Sequence, residues 1–520
     1  MASKHKSNRF RTVDLFAGPG GLAEGFSTLR DESGEPVFEI ALSVEKEAST
    51  FQTLRLRSFY RQFAGRAPDD YYAYIAGDIS KDELTRRFPE QWEAAKQETM
   101  QLELGTDEAK KDIDQRLDAI RDSAETHGSE TILIGGPPCQ AYSLVGRARN
   151  RGIAGYEAAK DHRHFLYQEY IRIVEHLRAA AFVMENVKGI LSSKVNGAPI
   201  FDRVLADMRA AGGAPDSYRL IPLVAGSKSR HGEFVIRAEQ YGIPQKRHRV
   251  IVLGIRTDIA NKLPAESLIT PSLVPVERQT VVADVLEGLP PLRSGLSKSE
   301  DGGRQWQTAV TEAFRTAARA CRSHDSLLEP VAIRLDAHAE ERQAHGAITK
   351  RTSEEFVAAS DPVLRNWLSG NRNRTLPNHA TRGHMESDLA RYAFAATFAE
   401  LYQCSPKAKD YPEALAPKHA SWTTGNFADR FRVQTWNHPS TTITSHIAKD
   451  GHYFIHPDPQ QRRSLTVREA ARLQTFPDDY YFEGNRTQQY VQVGNAVPPL
   501  LAYQIALVVQ SFLLNSNTPD

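Results

Sequence analysis

The sequence predicts an α/β fold: a doubly wound parallel sheet joined to a smaller irregular region. Three observations carry this reading. Short apolar strand candidates alternate with helix candidates through the first half of the chain. The first strand candidate runs straight into a glycine-rich turn, Gly18-Pro19-Gly20-Gly21, and such sheets bind ligands beyond their strand ends. Beyond about Leu263 the alternation stops, and Pro, Arg, His and Asn become frequent.

The elements follow in order. Residues 11–16 form the first strand candidate and 22–29 the helix after it. Residues 38–44 and 48–63 repeat that unit. Residues 72–75, aromatic and β-branched, read as a third strand, with 131–134, 180–184 and 249–255 as later ones. Between residues 81 and 128, Leu84, Phe88, Trp92 and Ala95 recur at helical spacing, as do Ile113, Leu117, Ile120 and Ala124. Gly105-Thr106-Asp107 separates the two runs, so a charged helical hairpin inserted between sheet strands is expected. Pro271, Pro275, Pro290 and Pro291 mark a linker. Residues 500–514 form an apolar helix that needs a core, and the first sheet is the nearest candidate. The expected division is therefore 1–280, 290–447, and a return to the first unit over 462–520.

Composition excludes several classes. The chain has 520 residues, 40% hydrophobic and 25% charged, which excludes a disordered chain, a collagen-like fibre and a coiled-coil rod. No secretory segment opens the sequence and no apolar run reaches the roughly 18 residues of a membrane span. No membrane association is expected, and a reducing interior fits best. Cys139, Cys321 and Cys404 are scattered, form no CxxC pair, and suggest neither disulfides nor a metal site. The net charge of +1 means that any nucleic-acid binding must come from local basic patches.

Six segments carry chemistry. The first is Asp14-Leu15-Phe16-Ala17 followed by the glycine turn. Glycines allow close backbone approach, and the following helix offers free N–H donors. Glu45 at the end of the next strand suits ribose hydroxyls, and Asp78-Ile79 suits an adenine. On these residues alone, a nicotinamide dinucleotide and S-adenosylmethionine both fit. The second is Gly135-Gly136-Pro137-Pro138-Cys139-Gln140-Ala141-Tyr142-Ser143, where the prolines pin a thiol in one direction. Arg147, Arg149 and Arg151 follow, able to favour a thiolate or grip phosphates. The third is Glu185-Asn186-Val187, a carboxyl leaving an apolar strand and able to share a proton with a heteroaromatic ring. The fourth is Gln245-Lys246-Arg247-His248-Arg249, whose alternation puts Gln245, Arg247 and Arg249 on one face. Residues 463–477 form the fifth, a near capping box with a structural role, and Gly494-Asn495-Ala496-Val497-Pro498-Pro499 is the sixth.

This ordered set resembles the DNA (cytosine-5) methyltransferases, the bacterial modification enzymes. The matches run from Asp14 to Pro499, in two blocks either side of the middle segment. The resemblance implies a Rossmann-like S-adenosylmethionine-dependent methyltransferase domain, plus a smaller irregular target-recognition domain over 290–447. It implies Cys139 as nucleophile, Glu185 at the cytosine N3 edge, and Arg249 at O2 with Arg247 in support. Phe16, Gly18, Gly20, Glu45, Asp78, Ile79, Pro137, Leu166 and Asn495 would line the cofactor site. Gln140, Ser143, Arg147 and Arg149 would touch DNA, as would Arg372, Arg374 and Arg382, with His379 and His384 as further candidates.

The implied partners are double-stranded DNA and a separately encoded restriction endonuclease, in a bacterial cytoplasm. Three departures stand out: Lys46 replaces a frequent aromatic after the ribose-binding acid, Tyr142 replaces a frequent Phe, and the helical insert before the nucleophile strand is unusually long. A transfer-RNA cytosine-5 methyltransferase, and a catalytically silent DNA-binding regulator on the same fold, are the alternatives. A nicotinamide dehydrogenase would leave the second, third and fourth segments without a purpose.

Overall fold

The computed structural model describes residues 9–138, 166–195, 198–225, 231–269, 273–297, 302–341, 359–369, 376–417, 422 and 430–515. Its centre is an eight-stranded sheet built from β1 (Phe10–Leu15), β2 (Phe38–Glu45), β3 (Thr99–Gln101), β4 (Glu130–Gly135), β5 (Ala181–Val187), β6 (Tyr218–Ile221), β7 (Val235–Arg237) and β8 (His248–Arg256). The order is β3-β2-β1-β4-β5-β8-β6, with β7 also pairing β8. Neighbours from β3 to β5 are parallel, whereas β8 is antiparallel to β5, β6 and β7. The expected all-parallel sheet is thus corrected in one half. The reversal has a consequence: it brings the start of β8 beside the carboxyl end of β5, pairing Arg249 with Val187.

Fourteen helices matter here. They are α1 (Gly21–Thr28), α2 (Ala48–Arg61), α3 (Asp69–Ala76), α4 (Lys81–Arg87), α5 (Pro89–Glu98), α6 (Asp107–Thr126), α7 (Leu166–Leu177), α8 (Ile200–Arg209), α9 (Gly303–His324), α10 (Glu329–Glu340), α11 (Glu386–Tyr402), α12 (Val467–Leu473), α13 (Arg486–Asn495) and α14 (Pro499–Asn515). Helices cover both sheet faces. Phe10, Ile132 and Ile134 pack in one core with Phe26, Ile505 and Val509. Val13, Leu15 and Leu133 pack in the other with Ile113, Leu117, Tyr170 and Ile173. Alternation along each strand sends neighbouring side chains to opposite layers.

Residues 72–75 are helical, not a strand. Asp69 and Asp70 stand in the first turn of α3, and Gly77 closes it in the left-handed region at φ 91°. Tyr71 and Ile75, four apart, are its buried pair. These end signals outweigh the strand preference of Tyr72, Tyr74 and Ile75. The third strand lies instead at Thr99–Gln101, inside the segment expected to be a helical hairpin. That segment holds three helices, because Pro89 opens a new helix after Phe88. The second half reads as expected: Thr106 caps α6, which buries Ile113, Leu117, Ile120 and Ala124.

The middle segment is less irregular than its composition suggests. Helices α9, α10 and α11 pack on one another around Trp306, Phe314, Leu335 and Phe394. The strand–helix alternation is lost there because α9 and α10 bury apolar faces against α11, which is itself buried on most sides. Residues 486–515 form a helical run long and apolar enough, by composition alone, to cross a membrane. The sequence reading found no such run. In the fold, 67% of its most apolar window is buried, and α14 packs against α1.

Candidate functional site

The register of the sheet assembles the site. Leu15 pairs with Val44 on one side and Gly135 on the other, and Gly135 pairs with Met184. The residues just beyond, Phe16, Glu45, Gly136 and Glu185, therefore emerge along one sheet edge. Phe16 turns the chain with φ 54° and packs against the β1–β2 core. The Gly18 N–H donates to Glu45 Oε2 at 2.9 Å, and the Glu47 N–H donates to Oε1 at 2.8 Å. Burial, set against these donors, still pushes the Glu45 carboxyl above its ordinary range.

Two glycines are required for different reasons. Gly18 has φ +57°, and a Cβ there would meet nothing within 4 Å, so the turn faces open space. At Gly21 a Cβ would lie 2.2 Å from the Val497 carbonyl oxygen. The last motif of the chain thus sits directly on the first. Beneath the turn, Asp14 is fully buried, and burial pushes its carboxyl up to about 8. Only the distant Arg61 charge and the Ala23 N–H favour its ionised form.

On the other side of the edge, Glu185 Oε1 lies 2.8 Å from Arg249 Nε, an ion pair shielded from most solvent. The Arg249 Nη1–H donates to the His248 carbonyl at 2.9 Å. A Cβ on Gly136 would stand 3.1 Å from Glu185 Oε2, so this strand end runs close over the pair. Pro137 is held there by the Asn186 amide, which donates to its carbonyl at 3.2 Å. Arg247 is buried and points away into the fold. Its Nη1 donates to the carbonyls of Ile443, at 2.8 Å, and Gly494, at 3.2 Å. Burial, then the Arg249 charge, press its guanidinium well below its ordinary value.

The other predicted residues divide. Leu166 is buried at the start of α7, and Asn495 is exposed at the end of α13. Asp78 is exposed and Ile79 packs against the aromatic cluster around Phe59, so both follow a helix and not a strand. Arg382 is committed to the fold: Nη2 donates to the Ile447 carbonyl at 2.8 Å, and the guanidinium lies 4.5 Å over the Tyr490 ring. His379 and His384 are buried. The His379 ring contacts Thr466 Oγ1 at 3.0 Å, and His384 Nε2 accepts from the Ser464 N–H at 3.3 Å. All three thus make polar contacts within the protein's own chain. Cys139, Gln140, Ser143, Arg147, Arg149, Arg372 and Arg374 lie outside the described residues.

Lys46, where an aromatic is frequent, pairs with Glu103 at 3.1 Å. Three residues with no assigned role stand close to the site. Tyr480 donates to the Pro19 carbonyl within the glycine turn. Gln245 and Gln474 meet at 2.8 Å in full burial. A signal existed for two of them: alternation places Gln245 on one face with Arg247, and Gln474 lies in the capping-box segment 463–477.

The family model of the C-5 cytosine-specific DNA methylases matches residues 88–511. Type II methyltransferase M.Bpa9945I of Bacillus paralicheniformis is 32% identical over 516 residues, covering 96% of this chain and 98% of its own. Type II methyltransferase M.AgeI of Thalassovita gelatinovora is 26% identical over 399 residues, covering 74% of this chain and 83% of its own. Among solved structures, a prophage-encoded E. coli protein described as a DNA modification methyltransferase superposes with a TM-score of 0.52 at 18% identity. It covers 97% of this chain and 99% of its own, a likeness in fold.

Proposed function

The chain belongs to the family of C-5 cytosine-specific DNA methylases, and on that footing we propose that it methylates C5 of a flipped-out cytosine in a specific duplex DNA sequence. The observation that carries this is the Glu185–Arg249 pair, set at one sheet edge beside the Gly136-Pro137 turn that leads to Cys139. S-adenosylmethionine, when bound, supplies an electrophilic methyl group. The residues fit it: open space over Gly18, a Glu45 carboxylate with lone pairs left for ribose hydroxyls, and the backbone of a glycine turn. Phe16, Gly20, Pro137, Leu166 and Asn495 complete the proposed wall, with Asp78 and Ile79 on the adenine side.

Cytosine C5 is a weak nucleophile, so the protein must raise its electron density. The Cys139 thiolate forms a bond to C6, and the ring electron pair moves toward C5 and N3. Glu185 holds a proton at N3, and Arg249 anchors O2 with its guanidinium donors. Arg247 supports the strand from behind through its two carbonyl contacts. C5 then takes the methyl group, the C5 proton leaves, and the C6–S bond breaks to restore the thiolate. The target must leave the base stack first, at a cost of a few kcal/mol. Gln140, Ser143, Arg147 and Arg149 follow the nucleophile in the chain and are the proposed clamp, with Arg372 and Arg374 on the recognition side.

The type II names of the relatives support a place in a restriction–modification pair, with a separate endonuclease as partner. Bisulfite sequencing of plasmid DNA from cells expressing the chain, beside a Cys139→Ala control, tests the reading. Protected cytosines in one sequence context, absent from the control, are expected. Full conversion in both, with soluble protein, overturns it and turns attention to RNA.

A further inference from the structure

A buried chain of amides connects the two sides of the site. It begins at Gln245, on a two-residue strand, Gln245–Lys246, that pairs with Ser440–Thr441 and ends one residue before β8. Gln245 Oε1 accepts from the Ile443 N–H at 2.8 Å. Its Nε2 donates to the Leu473 carbonyl at 3.1 Å and to Gln474 Oε1 at 2.8 Å. Gln474 Nε2 in turn donates to the Val493 carbonyl at 2.6 Å and the Ala496 carbonyl at 3.4 Å. Those two carbonyls flank Asn495. Arg247, the residue between that short strand and β8, runs in parallel to the Gly494 carbonyl.

Both amide groups are fully buried, and each uses both N–H donors and its oxygen. No other orientation of either amide satisfies these partners, because a flip would set donor against donor. Packing closes the arrangement further. A Cβ on Gly494 would stand 2.2 Å from the Ser445 nitrogen, and Val497 already rests on Gly21. The segment 493–497 is therefore held from the short strand leading into β8 on one side and presses on the glycine turn on the other.

We propose that Gln474 is a positioning residue that joins the cofactor wall, through Gln245, to the short strand leading into the cytosine-contacting β8, so that each half of the site holds the other in register. The role rests on the proposed function, which assigns the two halves. It does not touch substrate. Its effect reaches the cofactor through the backbone of residues 493–497.

The test is S-adenosylmethionine binding to the full chain by titration calorimetry, for the wild type, Gln474→Met, Gln245→Met and the double variant. Methionine keeps length and volume and removes the amide. Each single variant leaves buried partners unmet, and about a tenfold weaker Kd is expected from each. The double variant should weaken binding by far less than the product of the two, because they share one hydrogen bond. Gln245→Met decides the matter, since it lies on the cytosine side, and a merely local role there leaves cofactor affinity alone. Kd values within twofold of wild type, whatever happens to melting temperature, overturn the proposal. If a methionine variant is insoluble, Gln474→Asn keeps an amide of shorter reach and should show the same weakening. Failure of the functional reading looks different: the wild-type chain then transfers no tritiated methyl group to plasmid DNA.

Discussion

The Tyr480 hydroxyl donates to the Pro19 carbonyl, joining two residues 461 apart in sequence. The glycine turn is thus held from above by the C-terminal return of the chain. Behind Tyr480, Arg57 spans Glu24 on α1 at 2.6 Å and Asp479 at 3.0 Å, and lies 3.7 Å over the Tyr60 ring. Tyr60 and Tyr71 also donate to Asp479, at 2.7 and 2.9 Å. Helices α2 and α3 therefore brace the segment that clamps the turn.

Tyr480→Phe removes one hydroxyl and keeps the ring among Phe476 and Phe482. The Pro19 carbonyl loses its partner, which costs about 1 kcal/mol. Cofactor affinity should fall about fivefold, while the fold stays intact. Calorimetry against S-adenosylmethionine reads the affinity, and an unchanged Kd would show the clamp to be idle.

Arg57→Met strands two buried carboxylates, Glu24 and Asp479. Removing one partner of a buried ionic network costs about 3–5 kcal/mol. Urea unfolding should show that loss, and a change below about 1 kcal/mol would mean the network is internally relaxed.

Asp14 gives a pH signature of opposite sign to most carboxyls. Its folded value, about 8, lies above the ordinary 3.8, so the folded state holds the proton longer. Its contribution is fully present below pH 3.8 and is lost as pH rises toward 8. Asp14→Asn should therefore stabilise the chain at pH 8 relative to wild type, and much less at pH 4. Melting curves across that range check it; a stability difference that does not vary with pH would refute the assignment.

Buried His379 and His456 act in the acid range. Burial pulls each from 6.5 to about 4, so both are neutral when folded. The unfolded chain takes up these protons first, and stability should fall as pH drops from 6.5 toward 4. His379→Gln should flatten part of that slope in a melting series. An identical slope in the variant would exclude His379 as a source.

Glu185→Gln keeps the side-chain shape and removes the proposed proton donor to the cytosine N3 edge. A loss of about 10²–10⁴ in kcat is expected, the usual size for a general acid. The cofactor Kd should stay near wild type, because Glu45 and the glycine turn are untouched. Single-turnover methyl transfer measures the first, and a kcat within threefold of wild type would remove Glu185 from the chemistry.

Much of the site was legible in the linear sequence because local motifs encode local geometry. The glycine turn, the Thr106 cap and the amphipathic run of α6 depend on neighbours within a few residues. The same holds for the Thr466–Glu469 capping box, where each backbone N–H meets the other's side chain. Residues 72–75 misled because their composition favours a strand, while the start and stop signals lie just outside the run. The helices α9 to α11 were missed because a segment rich in Arg and His hides its stripes among charges.

Motif identity and family therefore come from the sequence: which groups the chain carries, and the order in which they occur. Their juxtaposition does not. The antiparallel turn of β8 sets Arg249 against Glu185, and nothing near either residue in sequence specifies that reversal. Gln474 meets Gln245 across 229 residues, and Tyr480 meets Pro19 across 461. Such pairs form only when separate layers close on one another and exclude water, which makes an unmet polar atom costly and favours arrangements in which most of them find partners. That selection acts on the whole packed molecule, and no local stretch of chain contains it.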